Sequence, residues 1–405
     1  MIHSPFLWQH GCMMGIVAIS CMVAGTGPVL NGIDVLERDG FSLLKGRSIG
    51  LITNHTGLTL DGRLTADVLA TARGLKLKAL FAPEHGIRGE KDEKIVDGID
   101  EKTGLPVYSL YNPGQKEASY RPKASQLQGI DTLVFDIQDV GARFYTYIGT
   151  LGYAMEEAAK HGVRFVVLDR PNPIRGLLVA GPVADRDILG LTAYHEIPVQ
   201  HGMTVGEMAR LYNMDRKIGC DLTLVKMEGW RRSMWFDETG QSWTNPSPNM
   251  RNPTQALLYP GICLVEATNV SVGRGTDTPF EWVGAPYVDG QKLAAAMNAK
   301  GLNGIRFYAR AYTPATSKFA GQVCGGVAFI VTDRAKIEAM RVGCELALEL
   351  HRMYPQFEFE KVNNLLASAA ALKTLEAKGY EAALKEWTPA LARFKAKRKK
   401  CLLYD

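Results

Sequence analysis

Glu84 and His85 stand together in Phe81-Ala82-Pro83-Glu84-His85-Gly86-Ile87-Arg88-Gly89-Glu90, directly after the apolar run Leu75 to Leu80. A carboxyl beside an imidazole, behind a proline and ahead of a glycine turn, is a pair able to exchange protons at a strand end. In a cleft walled by Phe81 and other aromatics, desolvation would raise the Glu84 pKa toward that of a general acid. Three more apolar runs end in the same way. Residues 47–53 lead into Asn54-His55-Thr56-Gly57, residues 131–135 into Asp136-Ile137-Gln138-Asp139, and residues 163–168 into Asp169-Arg170-Pro171-Asn172-Pro173. One polar strand end signifies little, because turns recruit Asp and Asn in any case. Four of them argue for a shared crevice at one edge of a sheet.

The elements that must carry these clusters alternate. Apolar strands are expected over 47–53, 77–81, 105–111, 131–135, 163–168 and 222–227, with helices after Asp61, over 150–161 and over 205–214. Strands alternating with helices give an α/β fold, a Rossmann-like parallel sheet covered on both faces. Residues 88–104, rich in Glu, Asp, Lys and Gly, suit either an active-site loop or a plain surface loop. From Trp230 to Pro253 periodicity gives way to turn chemistry, with Asn245-Pro246-Ser247-Pro248-Asn249 at its centre. The domain boundary is placed there, giving residues 28–245 and 246–405. The second unit reads as smaller and α+β: a strand over 261–266 ending in Glu266, a glycine loop Ser271-Val272-Gly273-Arg274-Gly275-Thr276, a strand over 325–331, and helices beyond.

Several chemistries are absent from the motifs. There is no Gly-Lys-Ser phosphate loop, and Gly273-Arg274-Gly275 lacks both the third glycine and the first-strand context of a dinucleotide site, so no nucleotide cofactor is expected. No two histidines lie at i, i+4, and no Gly-x-Ser-x-Gly elbow is present. Carboxylates remain. Glu84, with a second carboxyl from among Asp136, Asp139, Glu266 and Glu281 across a sugar ring, would suit glycoside hydrolysis. Phe144, Tyr145, Tyr147, Trp230, Trp235, Trp243, Phe280 and Trp282 offer faces on which a sugar can stack. Arg143, Arg170 and Arg274 are candidates for gripping a substrate carboxylate.

The 405 residues are 46% hydrophobic, ample for real cores, and carry a formal charge of +5. Part of that charge sits in Lys395-Ala396-Lys397-Arg398-Lys399-Lys400, which reads as a solvated helix end and not as a nucleic-acid surface. The seven cysteines show no paired spacing of a zinc site or a disulfide framework. Residues 11–24 have the length of a signal-peptide core, so residues 1–24 read as an export signal for a periplasmic or secreted protein. Ser20-Cys21 weakly resembles a lipoprotein cleavage site, which would anchor the chain through Cys21, and the leader lacks Lys and Arg. No other stretch is long enough to span a bilayer.

Taken together, the clusters around Asn54-His55, Glu84-His85, Asp136 to Tyr147, Asp169 to Pro173 and Gly273 to Thr276 resemble the exo-β-N-acetylmuramidase family. The resemblance extends over nearly all the chain after the leader. It implies a Rossmann-like domain, a smaller second domain completing the cleft, no cofactor and no metal. It also implies release of N-acetylmuramic acid from the non-reducing ends of peptidoglycan fragments. By that resemblance Glu84 is the catalytic glutamate, with Glu266 or Asp136 as second acid and His85 and His55 in support. Asn54, His55, Gln138, Arg143, Tyr145, Asp169, Arg170, Asn172, Arg274 and Thr276 are expected to bind substrate, with Arg143 or Arg274 holding the lactyl carboxylate. The alternatives are a cell-wall glycan-binding protein on the same scaffold and a metal-dependent hydrolase built from Glu84, His85, Asp136 and His55. The oligomeric state is not legible.

Overall fold

Apolar runs only five or six residues long become strands here because both faces of the sheet are covered. The computed structural model describes residues 27–88, 96–111 and 117–405; the proposed leader lies outside them. In chain order α1 (Gly32–Arg38) precedes β1 (Ser48–Thr53), α2 (Thr65–Thr71), β2 (Lys76–Ala82), the short β3 (Gly98–Ile99), β4 (Pro106–Ser109) and β5 (Thr132–Asp136). Then come α3 (Tyr147–Lys160), β6 (Arg164–Leu168), a hairpin of β7 (Ala180–Val183) and β8 (Pro198–Gln200), α4 (Val205–Asp215) and β9 (Leu222–Val225). The main sheet runs β3-β4-β2-β1-β5-β6-β9, parallel except at the β3 edge. Without β3, and numbered afresh along the chain, its strands stand 3-2-1-4-5-6. That is the Rossmann order, whose direction reverses between β1 and β5, so the ligand crevice belongs at their carboxyl ends.

Successive side chains in the sheet go to opposite faces. Ile49, Leu51, Val134 and Val166 pack toward α1 and α2, whereas Ile52, Leu133, Phe135 and Phe165 join the core under α3 and α4. At the amino end of α4, Thr204 accepts from the Glu207 amide while the Glu207 side chain takes the Thr204 amide, a reciprocal cap. The helix expected after Asp61 starts later, at Thr65, because the Asp61 carboxylate is held by Arg63 at 2.8 Å.

The second part begins with α5 (Pro253–Ile262) and contains the antiparallel sheet β10-β12-β11, made of β10 (Trp282–Ala285), β11 (Ile305–Ala309) and β12 (Gly325–Val331). Around that sheet lie α6 (Gly290–Ala299), α7 (Ala339–Met353), α8 (Asn363–Leu366), α9 (Ala369–Lys378) and α10 (Tyr380–Lys399). The strand expected over 261–266 does not form. Those residues finish α5 and continue as a 3-10 turn over Cys263–Val265. From Gln255 onward α5 is buried on every side, so it shows no polar stripe, and a short apolar run of that kind reads equally well as a strand. Gly261 and Gly343 let α5 and α7 touch backbone to backbone: a Cβ on Gly343 would lie 2.1 Å from the Gly261 carbonyl.

The two parts share one continuous core, which includes Phe144 and Tyr259 in contact at 5.3 Å between ring centroids. The C-terminal residues return to the first sheet. Tyr404 donates its hydroxyl to Asp169 at 2.6 Å, and the Arg232 amide donates to the Asp405 carbonyl at 2.8 Å. The basic run closes α10, with Lys397 on Asp215 and Arg398 on the carbonyls of Gly176 and Gly202. Among the described residues, Cys220, Cys263, Cys324, Cys344 and Cys401 are buried free thiols, and no helix is long and apolar enough to cross a membrane.

Candidate active site

Register brings three strand ends level. Ile52 of β1 lies opposite Phe81 of β2, and Thr53 opposite Asp136 of β5, so the residues that follow emerge side by side. After β2, Pro83 turns the chain and His85 takes a left-handed φ of 72°, a conformation that costs a non-glycine residue energy and that clusters at functional sites. The turn leaves Glu84 half-buried, with Oε2 accepting the Thr146 hydroxyl at 2.8 Å. The carboxyl is thus fixed in place and still reachable.

Around it the neighbours are neutral. His55 donates Nε2–H to the Asn245 carbonyl at 2.7 Å, which assigns its tautomer and leaves Nδ1 as a buried acceptor with no partner. Burial foremost, with His85 nearby, lowers its pKa and keeps it uncharged. Tyr147 donates to the Pro246 carbonyl at 2.6 Å beside Asn54, and its ring meets Tyr145 edge-on at 4.9 Å. Burial raises both phenols far above the usual range, with the Glu84 charge adding to it, so they remain donors. Asn54 itself is folded onto Thr56, whose amide and hydroxyl donate to Oδ1.

The next strand ends hold the fold together. Asp136 is fully buried and clasped by Arg170, Nε to Oδ1 at 2.5 Å and Nη2 to Oδ2 at 2.9 Å, with Thr65 donating to Oδ2 as well. A carboxylate so occupied has no oxygen for a substrate, which corrects the expectation of Asp136 as second acid. Asp169 accepts from Thr204, Gly206 and Tyr404, and burial pushes its carboxyl up to about 6. Asn172 bridges the Met203 carbonyl and the Ile174 amide, and Gln138 donates to the carbonyls of Asp139 and Pro171.

Arg143 is a second correction. Its guanidinium is 1% exposed and donates to the carbonyls of Pro182, Ile197, Leu365 and Leu366, joining the β7–β8 hairpin to the α8 region. Burial lowers its pKa to about 9. It cannot grip a lactyl group from there.

In the second part Glu266 caps the 3-10 turn, ion-paired with Arg274 and accepting from the Cys263 thiol at 3.0 Å. This pair reaches the first cluster through Tyr259, which lies beside the Cys263 thiol and whose ring meets Tyr145 at 5.7 Å. Thr276 donates back to the Gly273 carbonyl at 2.7 Å and shapes the glycine loop. Of the aromatics, Tyr145 and Tyr147 border Glu84, whereas Trp230 packs on Tyr404 and Trp282 on Tyr312 in the interior. Among the described residues, no three His, Cys, Asp or Glu side chains gather as a metal site would require. Arg88 is bound to Asp100 and Asp67, which pins both described ends of the expected loop; residues 89–95 lie outside the described set.

A family model described as the N-terminal part of exo-β-N-acetylmuramidase NamZ matches residues 49–254, and its C-terminal counterpart matches residues 257–404. The chain belongs to the exo-β-N-acetylmuramidase NamZ family. It is thereby a member of a glycoside hydrolase family. The peptidoglycan β-N-acetylmuramidase NamZ of Bacillus subtilis (strain 168) is 43% identical over 383 residues, covering 93% of this chain and 91% of that protein. Two solved DUF1343 family proteins of Bacteroides fragilis are also similar. One has a TM-score of 0.86 at 33% identity, covering 93% of this chain and 99% of its own. The other has 0.75 at 29%, covering 94% and 99%.

For this NamZ-family chain, sequence reasoning missed Thr146 and the segment Asn245-Pro246-Ser247. That segment supplies the carbonyls held by His55 and Tyr147 and sets Ser247 beside the Tyr145 hydroxyl. Its prolines and asparagines read as a linker, although Pro246 and Ser247 are buried. Asp139 takes the turn-forming role that its place before Gly141 suggests. Its Oδ2 accepts the Gly141 amide at 2.8 Å and lies 3.4 Å from His201 Nε2, and its charge acts on Tyr145 together with that of Glu84.

Proposed function

We propose that the protein is an exo-β-N-acetylmuramidase that releases N-acetylmuramic acid from the non-reducing ends of peptidoglycan fragments, with Glu84 as the proton donor. The observation that carries this reading is the Thr146–Glu84 hydrogen bond at the end of β2 in a family of that activity. As the bond from the anomeric carbon to the leaving oxygen breaks, the Glu84 carboxyl delivers its proton to that oxygen. The Thr146 hydroxyl, donating to Oε2, stabilises the carboxylate left behind. Neutral His55, Tyr145 and Tyr147 supply hydrogen bonds without adding charge beside it. With Arg143 occupied by backbone carbonyls, Arg274 is assigned to the lactyl carboxylate, exchanging Glu266 for the substrate. Export of the chain, by a leader within residues 1–24, accords with a cell-wall substrate.

Glu84→Gln is the test. Removing a general acid lowers rates about 10²–10⁴-fold, so release of the sugar from a chromogenic N-acetylmuramide should fall by at least that lower bound, with the melting temperature unchanged. Retained activity removes Glu84 from the mechanism.

A further inference from the structure

An apolar cavity of about 360 Å³ lies between the β7–β8 hairpin, the start of α7 and α10, and shares no residue with the Glu84 cluster. Val179, Met340, Leu384 and Leu391 wall it, and the exposed Lys395 completes its lining. Next to its Leu178, Leu177 is 52% exposed. Apolar ground of this kind on a protein surface marks a place of contact.

Cations border it. Lys395, Arg398 and Lys399 share one face of α10 by their i, i+3, i+4 spacing, and Arg398 holds that face to the Gly202 carbonyl at 2.7 Å and to the carbonyl of Gly176, the residue before Leu177. The C-terminal tail extends the charge through Lys400, through Arg210 near Cys401, and through Lys226 over the Tyr404 ring at 5.5 Å. Among the described residues none of Lys395, Lys399, Lys400, Arg210 and Lys226 has an acidic partner. The acids near them are engaged: Asp215 by Lys397, Glu207 by Arg232 and Glu338 by Arg341. Asp405 and the terminal carboxylate offset part of the charge, and a positive excess remains.

The start of the described chain joins the fold in the same neighbourhood. Val29 packs with Met227, Trp230 and Tyr404, and a Cβ on Gly176 would lie 3.1 Å from the Trp230 ring. The residues before Gly27, with their apolar run over 11–24, therefore connect close to Leu177.

We infer that this face docks on an anionic phospholipid bilayer, its lysines on the phosphates, and Leu177 and the cavity against acyl chains. A nucleic acid would leave the apolar ground uncovered, and a neutral bilayer would leave the cations unmatched. The inference is independent of the muramidase reading.

Sedimentation of the full-length protein with vesicles of phosphatidylcholine alone, and of phosphatidylcholine mixed with phosphatidylglycerol, tests it. Each basic residue near an anionic surface strengthens partitioning roughly fivefold, so the triple variant Lys395→Glu, Lys399→Glu, Lys400→Glu should lose at least about tenfold of the preference for the mixed vesicles. High salt should do the same to the wild type. Leu177→Asp should weaken binding to the mixed vesicles by a smaller factor. A control with the same change of charge on other faces, Lys76→Glu, Lys373→Glu, Lys378→Glu, should keep the preference. Melting temperature and release of sugar from a chromogenic N-acetylmuramide should be unchanged throughout, because no variant touches the Glu84 cluster. If the triple variant melts early, Lys395→Glu alone is read instead, with a loss of roughly fivefold expected. Equal wild-type binding to both vesicles, a control that loses as much as the triple variant, or a Leu177→Asp protein bound as tightly as the wild type overturns the docking face.

Discussion

Past the ends of β1 and β2, His55 and Glu84 are only partly buried and hold something in reserve. Glu84 is fixed through one oxygen, and His55 keeps an unpartnered Nδ1. At the ends of β5 and β6, on the same edge of the same sheet, Asp136, Arg170 and Asp169 are almost wholly buried and bonded on every side. The sequence pattern is the same in both places, an apolar run followed by Asp, Glu, Asn, His or Arg. What differs is saturation. A carboxylate with every oxygen occupied positions the backbone, and one with an oxygen in hand can act on a ligand.

Exchanging the two behaviours would break that comparison, and the largest effect is expected from doing so at Glu84 and Asp136. Glu84→Gln should remove activity and leave stability alone, as described above. Asp136→Ala should do the reverse, because breaking a buried ion pair costs about 3–5 kcal/mol. Urea unfolding of both variants checks this; a Glu84→Gln protein as destabilised as Asp136→Ala would erase the distinction. Next in size is the effect of pH. Asp169 titrates near 6 when folded and near 3.8 unfolded, so the folded chain takes up its proton first. Its contribution to stability is full below about pH 4 and is lost as pH rises through about 6, a difference of about 3 kcal/mol across that window. Tyr404→Phe removes a donor that favours the carboxylate, so the loss should extend to higher pH. Identical unfolding profiles for the variant and the wild type between pH 4 and 7 would dismiss the linkage.

Arg143→Lys should come third. A single ammonium cannot span the carbonyls of Pro182, Ile197, Leu365 and Leu366, and the cost should be about 2 kcal/mol of stability. Any loss of activity should be equal on a muramide and on a plain N-acetylglucosaminide; a loss confined to the muramide would restore Arg143 to substrate binding. The smallest effect belongs to Arg274→Ala. It breaks a largely buried ion pair with Glu266, and should slow muramides more than glucosaminides. Equal slowing would leave the lactyl carboxylate without this partner.

The sheet was legible because its strands are buried on both faces and read as unbroken apolar runs. The α5 misreading has the same origin, since a helix buried all round loses the 3.6-residue stripe. Its true start was written in Asn252-Pro253, a capping residue before a proline in the first turn, where Asn252 accepts the Gln255 amide. Glu84 was legible because titratable residues in a tight turn are an unusual local choice. The division between acting and supporting residues was not, because it depends on partners distant in sequence: Asp136 meets Arg170, and Arg143 meets carbonyls more than 200 positions away. Thr146 escaped notice for that reason too, standing 62 residues from the carboxylate it holds.

The bond from Tyr404 to Asp169 has a bearing on biosynthesis. Asp169 ends a strand of the first sheet, yet its hydroxyl donor is made 235 positions later. Until Tyr404 has been synthesised that carboxylate is without one of its donors, so the sheet edge is expected to settle only once the second part has folded against the first. A gene divided near residue 255 would then yield two fragments that need each other, not two free-standing proteins.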